Sequence, residues 1–195
     1  MKPSPRPAAG RRSLARLAAL WHARNAVAAV EFAMMAPVLA ILFIGIIDCA
    51  QAFLVEMKLA SAIAAGAQYV VNNTSSVGSS SGATLAASTA GIVGNINATG
   101  WASGTVVVNN GPTSTFAHGT ATASGTASNA DSCYCLSGSP GSWSWGNPVA
   151  CGSTCTTSIA GKFVTITATR RLTPFFSHYF ILPTSITQRI VVEVQ

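Results

Sequence analysis

Charge is the scarcest property of this chain. Only 8% of its 195 residues are Asp, Glu, Lys or Arg, against ~25% in an ordinary soluble domain. Five acids are present, Glu31, Asp48, Glu56, Asp131 and Glu193, with three histidines, His22, His118 and His178. That stock is too small to fill the roles of general acid, general base and metal ligand. No paired-carboxylate arrangement, nucleophile elbow or G-x-x-x-x-G-K-S/T phosphate loop occurs. The residues therefore predict no enzyme, no catalytic residue, no metal and no cofactor. His178 reads as a core or surface residue. No segment of 20–50 residues repeats, so the abundant Ser, Thr and Gly are a compositional bias and not an array.

The few charges are unevenly placed. Lys2, Arg6, Arg11, Arg12, Arg16 and Arg24 precede the first acid. From Leu59 onward the charges are Lys162, Arg170, Arg171, Arg189, Asp131 and Glu193. The net charge of +6 thus belongs mostly to an N-terminal arm. Only Trp21 and His22 accompany those cations, whereas a nucleic-acid surface interleaves basic and aromatic residues on a folded face. No nucleic-acid partner is expected.

What is present is a long apolar run. Residues 26–55 read AVAAVEFAMMAPVLAILFIGIIDCAQAFLV, and Phe32–Ile47 carries no charge. A spanning helix needs ~20 mostly apolar residues to cross ~30 Å of hydrocarbon. The arginines before it should stay in the cytoplasm, which places everything beyond about Val55 outside. A cleavable secretory signal is the competing reading, because Ala50-Gln51-Ala52 offers a small-x-small site. Asp48, and Glu31 and Pro37 within the apolar region, do not suit such a signal. Cys49 follows an acid, which does not suit a lipoprotein signal either, and it reads as a packing residue. Glu31 has two readings. A carboxylate set deep in lipid is costly and usually functional; near a helix start, the dipole would favour it without any further role.

Ala26-Val27-Ala28-Ala29-Val30-Glu31-Phe32, then Ala33-Met34-Met35-Ala36-Pro37 and the apolar run, resembles the N-terminus of TadE-like and TadG-like proteins. These are pilin-like components of the bacterial tight-adherence (Flp pilus) machinery. The family pattern is roughly G-x-x-x-V-E-F-A-x-x-x-P before a membrane helix, and Val30 to Pro37 match its core. Alanine stands at Ala26 where the family has glycine. The resemblance is strongest over 11–71 and weaker, at the level of strands and cysteines, over 104–194. It implies that a prepilin peptidase cuts between Ala26 and Val27, which would make Glu31 the fifth residue of the mature chain. It also implies that Glu31, with Phe32 and Pro37 in the same motif, sets helix register during assembly. The acid would pair with the free amine of a neighbouring subunit, offsetting the cost of its burial. The implied partners are the lipid bilayer, a prepilin peptidase and other pilin-like and pilus assembly proteins.

Ala26, Ala29, Ala33, Ala36 and Ala40 recur at spacings of three and four, a stripe on which membrane helices can approach closely. An abundance of alanine throughout the chain accounts for the same spacing. Pro37 lacks a backbone donor and should bend the helix or open one hydrogen bond. Beyond the apolar run, Leu59, Ile63, Gly66 or Ala67, and Val70 share one face. The helix should therefore continue to about Val71 and stop at Asn72-Asn73. Such a helix from Val27 would extend ~65 Å, well beyond a bilayer.

Asn73–Ala83 reads as a flexible Ser/Gly linker. A short helix is expected over 85–96 and a strand over 105–109. Asn110-Gly111-Pro112 supplies a turn, and 114–130 forms a paired strand. Lys162–Leu172 and Ser185–Val194 are the clearest strands, being rich in β-branched residues. Pro174–Pro183 is strongly aromatic and is expected to cap the sheet core; membrane contact and partner binding are its other readings.

Cys133-x-Cys135 and Cys151-x-x-x-Cys155 form an even set outside the cytoplasm, which reads as two disulfides. A Cys133–Cys135 bond would be strained by its short span. One bond is expected from each of Cys133 and Cys135 to the 151/155 pair, stapling a loop that carries Trp143 and Trp145. A four-thiolate zinc site is the rival, though these spacings are unusual for one. The expected fold class is α+β: a long N-terminal transmembrane helix extending outward, then a small β-rich, disulfide-containing ectodomain. The expected divisions are 1–26 as a basic cytoplasmic leader, 27–71 as the membrane and extended helix, 72–84 as the linker, and 85–195 as the extracytoplasmic domain. The site is the bacterial inner membrane, crossed once with the N-terminus inside. A secreted or anchored binding (adhesin) module without any pilus role is the alternative.

Overall fold

The computed structural model describes residues 10–139, 142–156, 158–174 and 183–195, and within the first helix the side chains from Val27 onward. The chain divides into two compact units, Met1–Asp48 and Cys49–Gln195.

Helix α1 runs Gly10–Asn72 and continues through Pro37. It begins inside the basic N-terminal arm, where Leu14, Ala15, Leu17, Ala18, Ala19 and Leu20 are good helix formers. It ends at the expected asparagine pair. Asn73 Nδ2 donates to the Tyr69 carbonyl at 2.8 Å, satisfying an acceptor at the helix terminus. In the first unit the helix buries almost none of its apolar surface: Phe32, Met34, Val38, Leu42, Phe43 and Ile46 are all exposed.

The second unit is an α+β domain with two disulfides, the expected class. Helix α2 (Gly82–Asn95) follows a 3-10 turn at Thr74–Ser76. The strands are β1 (Ser103–Val108), β2 (Thr113–Ala117), β3 (Thr120–Ser124), β4 (Cys133–Tyr134), β5 (Ser137–Ser139), β6 (Ser142–Ser144), β7 (Pro148–Val149), β8 (Phe163–Arg171) and β9 (Ser185–Glu193). The main sheet is antiparallel throughout, in the order β3-β2-β1-β8-β9.

Strand alternation puts every second residue on one face. Val106 stands opposite Ile166 and Val108 opposite Val164, while Val164 stands opposite Val192. These residues pack with Leu59, Ala62, Ile63 and Val70 of α1 and with Leu85, Ala86, Ala90 and Val93 of α2. Each large aliphatic side chain removed from water in this way contributes ~1.5–3 kcal/mol. Gly66 permits the close approach of the two helices, since a Cβ there would stand 2.5 Å from Val93 Cγ2. The opposite face of the sheet carries Thr105, Thr115, Thr122, Thr165, Thr167 and Thr169, all at least partly exposed. A helix-covered face and a hydroxyl-rich face are what an antiparallel sheet can tolerate.

Turn chemistry sets the strand ends. Asn109 and Asn110 have φ of 47° and 55°, a region asparagine tolerates better than most residues. The β1 strand therefore stops at Val108. Asn109 is fully buried. Its Nδ2 donates to the carbonyls of Ala130 at 2.9 Å and Ser132 at 2.6 Å, and its Oδ1 accepts from Phe163 N at 3.3 Å. One side chain thus joins the β1–β2 turn, the excursion before β4 and the start of β8. The 114–130 stretch is not one strand. His118-Gly119, with φ of 52° and 83°, turns it into the β2–β3 hairpin, and Ala127–Asp131 forms a 3-10 turn. Left-handed conformations at both central residues match the twist of a tight hairpin.

The 73–83 stretch, read from composition as a flexible linker, is tied to the domain. Val77 is buried, and its carbonyl accepts from Lys162 Nζ at 3.2 Å. Asp131 Oδ1 accepts from Ser79 N at 2.8 Å. Hydrogen bonds from the Ser79 backbone and side chain, with the nearby Lys162 charge, hold the Asp131 carboxyl below its ordinary range, although desolvation opposes them. A carboxyl with a depressed folded-state pKa adds stability above its unfolded pKa of ~4 and loses it as pH falls through the folded value. Thermal unfolding followed downward from neutral pH should show this loss at the acid end, below the ordinary carboxylate range. Asp131→Asn should flatten that acid limb and leave the neutral-pH midpoint little changed, because the pair is exposed to solvent.

Candidate assembly site on the long helix

The site residues expected from the sequence fall into two groups, one in each unit. Val27, Glu31, Phe32 and Pro37 lie on α1 in the first unit, while the four paired cysteines lie in the second. Ala26 is part of α1, but its side chain is outside the described residues.

Glu31 and Phe32 both point away from protein, Phe32 at 67% exposure and Val27 at 59%. Glu31 lines a shallow hollow on the helix surface together with Ala28, Phe32, Met34 and Met35. An acid set among exposed aromatic and thioether side chains is a poor match for water. It gains if a lipid or a second helix covers the apolar part and a cation meets the carboxylate. Ala29, Ala33 and Ala40 of the small-residue stripe are also exposed. The Cys49 thiol, expected to pack, is exposed on α1 and unpaired.

The span Val27–Asn72 is one candidate membrane helix by length and composition among the described residues, with a mean hydropathy of 2.4 in its most apolar window. Only 6% of that window is buried, which separates it from the core helix of a soluble protein. The chain is therefore consistent with a single-pass membrane protein.

Residues 26–68 match the family model described as TadE-like protein. The TadE-like segment contains Val27, Glu31, Phe32 and Pro37. It extends through the α1 positions Leu59, Ala62, Ile63 and Gly66 that pack under the sheet. It ends before α2 and the strands, so the family resemblance proposed from the sequence is met over the helix. No curated protein and no solved structure matches the chain.

In the second unit, Cys133 is joined to Cys151 and Cys135 to Cys155, with Cα–Cα distances of 5.0 and 5.6 Å. Both bonds lie in the excursion between β3 and β8, where β4 pairs with β7 and β5 with β6. Trp145 meets Tyr134 edge-on at 5.9 Å between ring centroids. Tyr134 is buried, and its hydroxyl donates to the Asn129 carbonyl at 3.0 Å. Among the described residues no group of three or more His, Cys, Asp and Glu is placed to hold a metal ion. Of the aromatic 174–183 segment, residues 175–182, including His178, lie outside the described residues.

One further grouping is not marked by any motif in the sequence. Trp101, His118, Arg170 and Arg171 line a common cleft at one end of the sheet. Trp101 and His118 are far in the chain from the two arginines, and the period-two pattern of β8 alone would send Arg170 and Arg171 to opposite faces.

Proposed function

We propose that this protein is a pilin-like membrane component of tight-adherence (Flp) pilus assembly. A prepilin peptidase removes the leader at Ala26–Val27. Helix packing in the bilayer then brings the chain together with other pilin-like and pilus assembly proteins. In this reading 1–26 is a cytoplasmic leader, 27–71 the membrane and extended helix, 72–84 the connection, and 85–195 a domain on the far side of the inner membrane. Glu31 pairs with a neighbouring subunit's amine, Phe32 and Pro37 shape the surface around it, and the two disulfides rigidify the outer domain.

The observation that carries this reading is the TadE-like match at 26–68 on a helix whose apolar surface is left exposed. The test is the mature N-terminus. Sequencing should give Val27, and Ala26→Phe should leave the chain at its full mass, because a bulky residue does not fit where a small one is cut. An unchanged mature mass in that variant overturns processing at this bond.

A second reading is a secreted or membrane-anchored binding module with no pilus role. It draws on the position of Ala50-Gln51-Ala52 at the start of the folded unit Cys49–Gln195. Signal cleavage there would give Phe53 as the first residue, and an anchored adhesin would keep Met1.

A further inference from the structure

The two ends of the main sheet differ in chemistry, and the direction of α1 within the second unit says which end Cys49 leaves from. Gly66 lies beside Ile166, and Glu56 Oε1 accepts from Gln188 Nε2 at 3.3 Å. Gln188 stands opposite Ala168, so moving backward along α1 means moving forward along β8. Val77, beyond the end of α1, meets Lys162 at the start of β8. The chain therefore leaves this domain toward Cys49 at the sheet end that carries Thr169, Arg170 and Arg171.

At that end lies a cleft of about 350 Å³ lined by Trp101, Ser103, His118, Thr169, Arg170 and Arg171, among others. The Arg170 guanidinium stands 5.4 Å from the Trp101 ring centroid and donates to the Trp101 carbonyl. This fixes one cation and one indole together. Arg171 is exposed beside them, and no acidic side chain is among the described lining residues. The acids Asp131 and Glu193 sit at the far end, Asp131 against Ser79 and Glu193 opposite Phe163. Glu56, on α1, accepts from Gln188.

We propose that this cleft binds the phosphate of an anionic phospholipid headgroup in the leaflet next to the domain. This rests on the membrane reading of α1 but not on a pilus role. Guanidinium groups present paired donors suited to phosphate oxygens. Tryptophan settles at headgroup depth, with its ring against apolar matter and its N–H toward water. Each cation near an anionic surface adds about five-fold in affinity. A headgroup bound here would fix the height and rotation of the domain above the bilayer.

The test uses the full chain, labelled with fluorotryptophan and inserted into phosphatidylcholine nanodiscs containing increasing phosphatidylglycerol. The Trp101 fluorine resonance, assigned with Trp101→Phe, should shift as phosphatidylglycerol rises. Those of Trp143 and Trp145, in the disulfide-linked excursion, should stay in place. Arg171→Gln should require about five-fold more phosphatidylglycerol for the same shift, and Arg171→Lys should restore most of it. A Trp101 resonance indifferent to phosphatidylglycerol overturns the site. An equal shift from inorganic phosphate over pure phosphatidylcholine overturns the lipid as its ligand. A chain that inserts into neither disc overturns the membrane reading itself.

Discussion

Replacing Cys133, Cys135, Cys151 and Cys155 with serine should destabilise the excursion between β3 and β8 far more than the sheet beneath it. The disulfides span 18 and 20 residues. Closing loops of that size is worth ~3 kcal/mol each if unfolded-chain entropy dominates. The excursion has little else. Its strands are two or three residues long, and among the described residues its buried apolar side chains are Ala130, Cys133, Tyr134 and Ala160. None of these belongs to the main core of α1, α2 and the sheet. Hydrogen exchange should therefore show residues around 133–161 opening in the serine variant while Val106, Val164 and Ile166 stay protected. Urea unfolding followed by tryptophan fluorescence should lose the Trp145 signal early, because Trp145 rests against Tyr134. Replacing only Cys135 and Cys155 should give roughly half the effect. Equal protection across excursion and sheet, with or without the bonds, would show that the excursion holds itself.

That two disulfides cross from Cys133 and Cys135 to the 151/155 pair was legible because four cysteines in two close pairs leave few choices; which of Cys151 and Cys155 meets Cys133 was not. The two clearest strands were legible for a different reason. Runs such as FVTITATRR and SITQRIVVE carry enough β-branched residues to declare themselves, and β8 and β9 fall within one residue of the expected bounds. The rest of the sheet is quieter. In β2 and β3 the alternation is between small residues and hydroxyls, such as Thr113, Ser114 and Thr115, so hydropathy marks no face. The hairpin there is announced only by His118-Gly119. Gly104 inside β1 and Gly82 at the start of α2 also hid boundaries, because glycine is a weak former of both elements.

Asn109 could not be read at all from the sequence. An Asn-Asn-Gly-Pro run signals a turn, but nothing in it says that the first amide will be buried and bonded to residues 21 and 54 positions away. The cleft of Trp101 and Arg170 is illegible for the same reason, since it joins residues 69 apart. Contacts of that kind arise from strand order, and strand order is not a local property. The long helix is the opposite case at its far end: its apolar run, its stop at Asn72 and the motif around Glu31 are all local, whereas its start at Gly10, well before the expected Val27, was not read.

Glu31→Gln should leave the helix and its insertion intact and reduce recovery of the chain in assembled pili by ~30-fold or more, the equivalent of at least ~2 kcal/mol for breaking a desolvated charge pair. Glutamine keeps the shape and hydrogen-bonding groups and removes only the charge, so helix packing alone would survive the change. The competing account places Glu31 at a helix start, where the dipole favours an acid. In the full chain that account fails, because α1 begins at Gly10 and dipole effects fade within the first turn. Cleavage at Ala26–Val27 would change this. It would bring Glu31 close to a new helix terminus and create a free amine on each neighbouring subunit. The acid would then be costly before processing and paired after it, which makes leader removal the step that permits assembly. Blocking cleavage with Ala26→Phe should therefore reduce assembly as severely as Glu31→Gln, and combining the two should add little further loss, as expected for groups acting as one unit. Pili that form normally from Glu31→Gln would remove the register role, and additive losses in the double variant would separate the acid from the cut.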